Sequence, residues 1–202
     1  MKKASAGPEP TRGPRDDRGV VAARIVTAAR SEFVDHGVSG TTFRAIARRA
    51  EVDPALVHYY FASKEALLDA ATTPPPELLE SVKAAVGAPL ATRGQSIVEN
   101  VLRLWSNPDI ADILRATFLC ANVDAATREK LRASMSLSFI GATAERLPQE
   151  DRAIRAGLVS SQVIGLCWLR YIWELDPLAS MTESAIVAHI APTLQRYLHG
   201  KL

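Results

Sequence analysis

Between residues 41 and 64 the chain reads TTFRAIARRAEVDPALVHYYFASK, and its polar side chains are of the kinds that meet a nucleic acid. Arg44 carries a guanidinium fork that matches guanine O6 and N7. Tyr59 and Lys64 offer a hydroxyl and an ammonium suited to phosphate oxygens, contacts that fix register without reading sequence. His58 can reach a base edge or a phosphate, and Pro54 and Ala55 offer apolar contact to a thymine methyl. Thr42 and Tyr60 complete the candidate set, with packing in the domain core as the alternative for Tyr60. Arg48 and Arg49 read as solvated. Each residue is also compatible with an ordinary exposed helical position, so the elements that carry them have to decide.

Those elements follow from the same stretch. Thr41 or Thr42 can cap a short helix whose buried face is Ile46, Ala47 and Ala50, spaced at helical intervals. Glu51, Val52 and Asp53 form a turn, with Val52 as its one apolar plug. Asp53 caps a second short helix, and Pro54 sits at its first position, where a missing N–H costs nothing. Val57, Tyr60 and Phe61 fall at i, i+3 and i+4 and can face inward. Ser63 caps the next helix. Two short helices joined by a tight turn, the second ending in aromatics, make a helix-turn-helix whose second helix enters the DNA major groove.

The segment VDPALVHYYFASKEALL resembles the signature of the TetR family of transcriptional regulators. Upstream, RIVTAARSEFVDHGVSGTTFRAIARRA is similar to the first helix, the Gly-containing bend and the second helix of the same domain. Several independent features thus occur in order over residues 24 to 68. LVSSQVIGLCWLRYIWELDPLASM and IAPTLQRYL resemble regulatory halves in a large subfamily. One departure is Glu51, where the family usually has Gly. A Glu with positive φ costs on the order of 1 kcal/mol.

Charge follows the same division. Residues 1 to 64 carry 11 Lys/Arg and 7 Asp/Glu, a net of +4, and the remainder carries 13 and 15, a net of −2. A +4 segment alone is compatible with ordinary solvated surface; with the motif it reads as a nucleic-acid footprint. Cys120 and Cys167 lie in apolar helical patterns without CxxC spacing, and four scattered His form no ligand cluster, so buried reduced thiols and no metal or other cofactor are expected. HExxH, nucleophile and Gly-rich phosphate-loop motifs are absent, which argues against an enzyme. No signal peptide is visible, and the apolar run from 158 to 173 is interrupted by polar residues and too short to span a bilayer. A cytoplasmic protein without membrane contact is expected.

Along the chain, residues 1 to 17 read as a disordered basic tail. Residues 18 to 72 form the expected DNA-binding domain, with Ile25, Ala28, Ala29 and Phe33 on one face of its first helix and Gly37 as its end. Pro74-Pro75-Pro76 closes the fourth helix, and residues 77 to 202 form a helical regulatory and dimerisation domain. Its apolar stripes include Ile97, Val98, Val101, Leu102 and Trp105, then Ile110, Ile113, Leu114 and Phe118, then Leu131, Met135, Phe139 and Ala142. A helix from about 149 to 174 and another from 182 to 199 follow; within the last, Pro192 frees the carbonyl of Ala188. The expected fold is all-α, with roughly nine or ten helices.

Trp105, Arg115, Phe118, Asn122, Phe139, Trp168 and Tyr171 are the candidate ligand-binding residues, since aromatics with a few polar groups suit a small apolar ligand. A plain core explains each aromatic equally well, and Arg115 and Arg170 can instead snorkel or pair with an acid. Residues 154 to 173 are apolar nearly all round, with small residues at Gly157, Ser160, Ser161 and Gly165, so a homodimer through the last two helices is expected. The resemblance implies a regulator, most simply a repressor released from a palindromic operator by a small molecule.

Overall fold

The computed structural model describes residues 14–134 and 151–202. Among them the chain forms ten α-helices in the order α1 (Pro14–Gly40), α2 (Phe43–Arg49), α3 (Pro54–Tyr60), α4 (Lys64–Thr72), α5 (Pro76–Gly87), α6 (Arg93–Ser106), α7 (Pro108–Val123), α8 (Ala125–Ser134), α9 (Arg152–Cys167) and α10 (Glu183–His199). The all-α expectation holds. Helix α1 begins at Pro14, so residues 14–17, expected within the tail, are helical. Met135, Phe139 and Ala142 lie outside the described residues.

Local signals set most boundaries. Gly37, at φ 69° and ψ 168°, breaks α1 before its last short turn, and the Thr41 hydroxyl donates to the Gly37 carbonyl at 2.8 Å and the Glu32 carbonyl at 3.0 Å. Asn107 both ends α6 and caps α7, its Oδ1 accepting from the Asp109 amide at 3.1 Å. Asp124 caps α8, and the Thr127 amide that it accepts from holds its carboxyl below the ordinary value. After α9 the backbone widens into a π-helical turn over Trp168–Ile172, with the Trp173 amide bonded to the Trp168 carbonyl at 2.9 Å. The Arg170 guanidinium reaches the Leu178 and Ala179 carbonyls and closes the bend that follows.

Two cores form. One joins Ile25, Ala29 and Phe33 of α1 to Ile46, Ala47 and Ala50 of α2, Val57 of α3, and Leu67, Leu68 and Ala71 of α4. The other is built by α5, α6, α7, α9 and α10 around Ile97, Leu102, Trp105, Leu166, Ile186 and Leu194. They are not separate. Cys120 of α7 belongs to the first core, and α7 packs along both α1 and α4. Arg30 of α1 donates to the Ala71 carbonyl at 2.9 Å, and the Thr117 hydroxyl of α7 lies 3.4 Å from the Thr72 carbonyl. The proline joint separates α4 from α5 in sequence, yet packing crosses it.

Helix α6 lies against α10 at close range. A Cβ on Gly94 would stand 2.8 Å from the Ala191 carbonyl oxygen and 2.8 Å from the Gln195 amide nitrogen, so only glycine fits. Gln195 fastens the contact, accepting from the Gly94 amide at 2.9 Å and donating to the Leu90 carbonyl at 2.6 Å. Helix α10 continues through Pro192. No helix of the described residues is long and apolar enough to cross a membrane.

Candidate nucleic-acid interface and ligand cavity

Helices α2 and α3 are held by the caps their sequences carry. Thr42 Oγ1 accepts from the Ala45 amide at 3.2 Å, Asp53 Oδ1 from the Ala55 amide at 2.7 Å, and Ser63 Oγ from the Ala66 amide at 3.2 Å. Between α2 and α3 the chain turns through Glu51 at φ 52°, the left-handed position where glycine carries no penalty. Val57 is buried, and Tyr60 and Phe61 are half-buried against the core. Tyr60 therefore packs, with its ring 5.2 Å from Tyr59 in an edge-on arrangement.

What remains outside is a continuous face. Pro54, Ala55, Leu56, His58 and Tyr59 of α3 are exposed, Tyr59 at 68 %. The His58 ring rests 4.7 Å from Phe43, which brings the first turn of α2, with exposed Thr42 and Arg44, beside α3. Leu56 joins this face although its apolar character gave no sign of it in the sequence. Lys64 is half-buried, and its ammonium donates to the Val38 carbonyl at 3.0 Å, tying α4 to the end of α1. Arg49 is not simply solvated: its Nε lies 3.0 Å from buried Glu32 and its guanidinium donates to Asp35 at 2.7 Å.

The second half encloses a cavity of about 460 Å³ between α4, α5, α6, α7, α8 and α9. That volume lies in the range of small-molecule sites. Its wall is mainly hydrocarbon, from Leu78, Val82, Ile97, Val101, Leu104, Ile113, Leu114, Leu131 and Val163, with Trp105 and Phe118 at one side. Thr72, Thr73, Asn100, Thr117, Thr127 and Lys130 are its polar residues.

Trp105 and Phe118 are the two candidate aromatics that reach this wall. The Tyr171 ring stacks on Trp105 at 4.5 Å and 1°, and Trp168 meets Phe118 edge-on at 5.8 Å, so Tyr171 and Trp168 pack outside the cavity lining. Arg115 is away from the cavity, 3.9 Å from Asp112, and Asn122 is exposed at the end of α7. Phe139 lies outside the described residues. The polar groups that do line the cavity carry no helical signature of their own; Lys130 reads in sequence as one more solvated charge.

Both thiols are buried and unpaired with each other. The Trp105 indole N–H donates to Cys167 Sγ at 3.3 Å. Burial pushes the Cys120 thiol up to about 11 and the Cys167 thiol up to about 12, which makes both poor nucleophiles at neutral pH. Among the described residues no group of His, Cys, Asp and Glu is placed to hold a metal ion.

On helix α9 the small residues divide. Ser160 is buried and donates to the Ala156 carbonyl at 2.8 Å, whereas Ser161 is exposed. Gly157 and Gly165 have open space where a Cβ would project, and Ile154 beside them is 59 % exposed.

Comparison with known proteins matches both halves. Residues 25–71 match the family described as bacterial regulatory proteins, tetR family, and residues 91–198 match the tetracyclin repressor-like C-terminal domain. Over 54 residues, 27 % of this chain, it is 39 % identical to the HTH-type transcriptional regulator Rv1816 of Mycobacterium tuberculosis strain H37Rv. It spans only 23 % of the length of that curated relative. Among solved structures it is similar to a TetR-family regulator (SCO0857) from Streptomyces coelicolor A3, with 28 % identity, 94 % and 99 % of the two chains covered, and a TM-score of 0.64. It also shares the fold of NalD, the secondary repressor of the MexAB-OprM multidrug efflux pump in Pseudomonas aeruginosa, with 24 % identity, 90 % and 97 % covered, and a TM-score of 0.66.

Proposed function

The chain belongs to the TetR family of bacterial regulatory proteins, and on that premise we propose that it represses transcription from a palindromic operator and is released by a small, mainly apolar ligand. Regulators of this family bind operator DNA and act as dimers. The observation that carries the reading is the exposed face of α3, with Asp53 and Pro54 fixing its start and Arg44 beside it. A two-fold dimer presents two such faces about one DNA turn (~34 Å) apart or a little more. Tyr59 and Lys64 meet phosphates, Arg44 reads a base edge, and Pro54, Ala55 and Leu56 contact thymine methyls. Thr42 and His58 complete the contact set, and half-buried Tyr60 supports Tyr59 from behind.

The ligand occupies the 460 Å³ cavity. Because α4 contributes both to the cavity wall and to the core of the DNA-binding half, a ligand that favours one position of α4 changes the spacing of the two α3 helices. Release requires that the ligand bind the DNA-incompetent state more tightly, since equal affinity shifts nothing. The helical regulatory and dimerisation unit is residues 77 to 202, and the DNA-binding unit is 18 to 72, extended at its start by the first turn of α1.

Substitutions in α3 and α4 test this reading. Tyr59→Ala should weaken operator binding by roughly 1–2 kcal/mol without lowering the melting temperature, because the side chain is exposed. Lys64→Ala should weaken binding by a similar amount and lower the salt slope by about one. It should also lower the melting temperature, since the bond to the Val38 carbonyl is lost. Arg44→Ala should relax base preference as well as affinity. Anisotropy titrations at several salt concentrations check all three, and parental binding by Tyr59→Ala and Lys64→Ala together would remove α3 from the interface.

A further inference from the structure

Resting on the proposed ligand cavity, we infer that its ligand is a lipophilic monoanion, a carboxylate or a group of like charge, anchored by Lys130 of α8 in exchange for Asp69 of α4. The polar groups of the wall narrow the choice. The hydroxyls of Thr72, Thr73 and Thr117 donate to the carbonyls of Leu68, Asp69 and Ile113 at 2.8, 2.7 and 2.7 Å. The Thr127 amide donates to the Asp124 carboxylate at the start of α8. The three hydroxyls are already used within the chain. Asn100 accepts from Arg103 through its carboxamide oxygen, which leaves its NH₂ as a donor. Lys130 is the one formal charge among the described lining residues.

A wall of hydrocarbon with one ammonium at its rim selects by charge. A cation meets Lys130 with like sign, and a neutral molecule leaves it indifferent. An anion gains a charge-assisted hydrogen bond. Lys130 is not idle in the empty cavity, because it pairs with Asp69, and both side chains are about half exposed. Partial burial lowers the Lys130 pKa, and an anion on the cavity side favours its charged form.

The exchange has a mechanical consequence. Asp69 stands on α4 one residue from Leu68, which is buried in the core of the DNA-binding half. The Lys130–Asp69 pair thus ties α8 to the helix that joins the cavity to that core. An acid that takes Lys130 loosens the tie while its apolar body fills the cavity. A neutral ligand of the same shape has no such lever.

The test compares dodecanoic acid with methyl dodecanoate on the full-length protein at neutral pH, below micelle-forming concentration, by Trp fluorescence and calorimetry. The acid should bind at least about tenfold more tightly than the ester, as a charge-assisted bond provides. Lys130→Met and Lys130→Gln should bring the acid down to the affinity of the ester and leave the ester unchanged. Asp69→Asn should tighten the acid severalfold and not the ester, an effect that mere structural support by Asp69 does not produce. Equal binding of acid and ester, or acid binding indifferent to both Lys130 variants, overturns the anionic assignment while leaving the cavity in place. The cavity itself fails separately, if Val82→Trp weakens neither probe. Failure of the acid, the ester and 4-phenylbutanoic acid all to bind also overturns the inference.

Discussion

Ser161→Arg is expected to leave a monomer that binds operator DNA more than a hundredfold less tightly than the parent. Ser161 stands exposed on α9 between Gly157 and Gly165, where a Cβ would meet no neighbour, and Ile154 continues the same face. Half-buried Ile190 and Tyr197 on α10, and exposed Trp173 and Leu175 beyond the π-helical turn, offer further apolar area. Small residues in a row on an exposed helix face, with apolar side chains beside them, suit an isologous contact with a second copy. Burying an unpaired guanidinium there costs several kcal/mol, and each 1.4 kcal/mol is a factor of ten. The monomer keeps one α3, so its salt slope should fall to about half of the dimer's. Sedimentation velocity and a salt-dependent titration check both parts. A dimer that persists with the charge in place shows that another surface joins the copies.

Arg49→Met should lower stability by about 3 kcal/mol and the melting temperature by roughly 6–12 °C for a chain of this size. Glu32 is 2 % exposed, and its carboxylate faces Arg49 Nε at 3.0 Å and, more distantly, His36 Nε2 at 3.7 Å. Its Oε2 has no hydrogen-bond donor, so Arg49 is the group that compensates the buried charge. Removing Arg49 strands that charge between α1 and α2. The lower end of the range for broken buried pairs applies because Arg49 itself is about one-third exposed. Glu32→Gln added to Arg49→Met should recover part of the loss, since an amide costs less to bury than an unpaired carboxylate. Thermal unfolding of the two variants decides it; equal destabilisation with and without Glu32→Gln contradicts the assignment.

The helix-turn-helix was legible because its signals are local. Asp53, Pro54 and Ser63 announce caps within three residues of the amides they serve, and Ile46, Ala47 and Ala50 carry the helical period. Features that depend on distant pairing were not legible. Cys120 reads as one apolar residue of α7, and only the packing of α7 on α1 and α4 sends it into the core of the other half. Ser160 and Ser161 look equivalent in sequence, yet one residue of helical advance turns one inward and the other out. Trp168 and Tyr171, at the π-helical turn after Cys167, pack on Phe118 and Trp105 rather than lining the cavity. Lys130 and Asn100 sit among residues that look like a solvated face and a helix flank, and only closure of six helices around them gives those positions meaning.

Selection of binding sites from randomised duplex DNA by the purified protein puts DNA reading through α3 to the test. The expected result is an inverted repeat whose half-sites are centred about one helical turn, ~34 Å, or slightly more apart. Arg44→Ala should relax one position within each half-site. Recovery of no enriched motif, or of a motif unchanged in both strength and sequence by Tyr59→Ala and Arg44→Ala, contradicts DNA reading through α3.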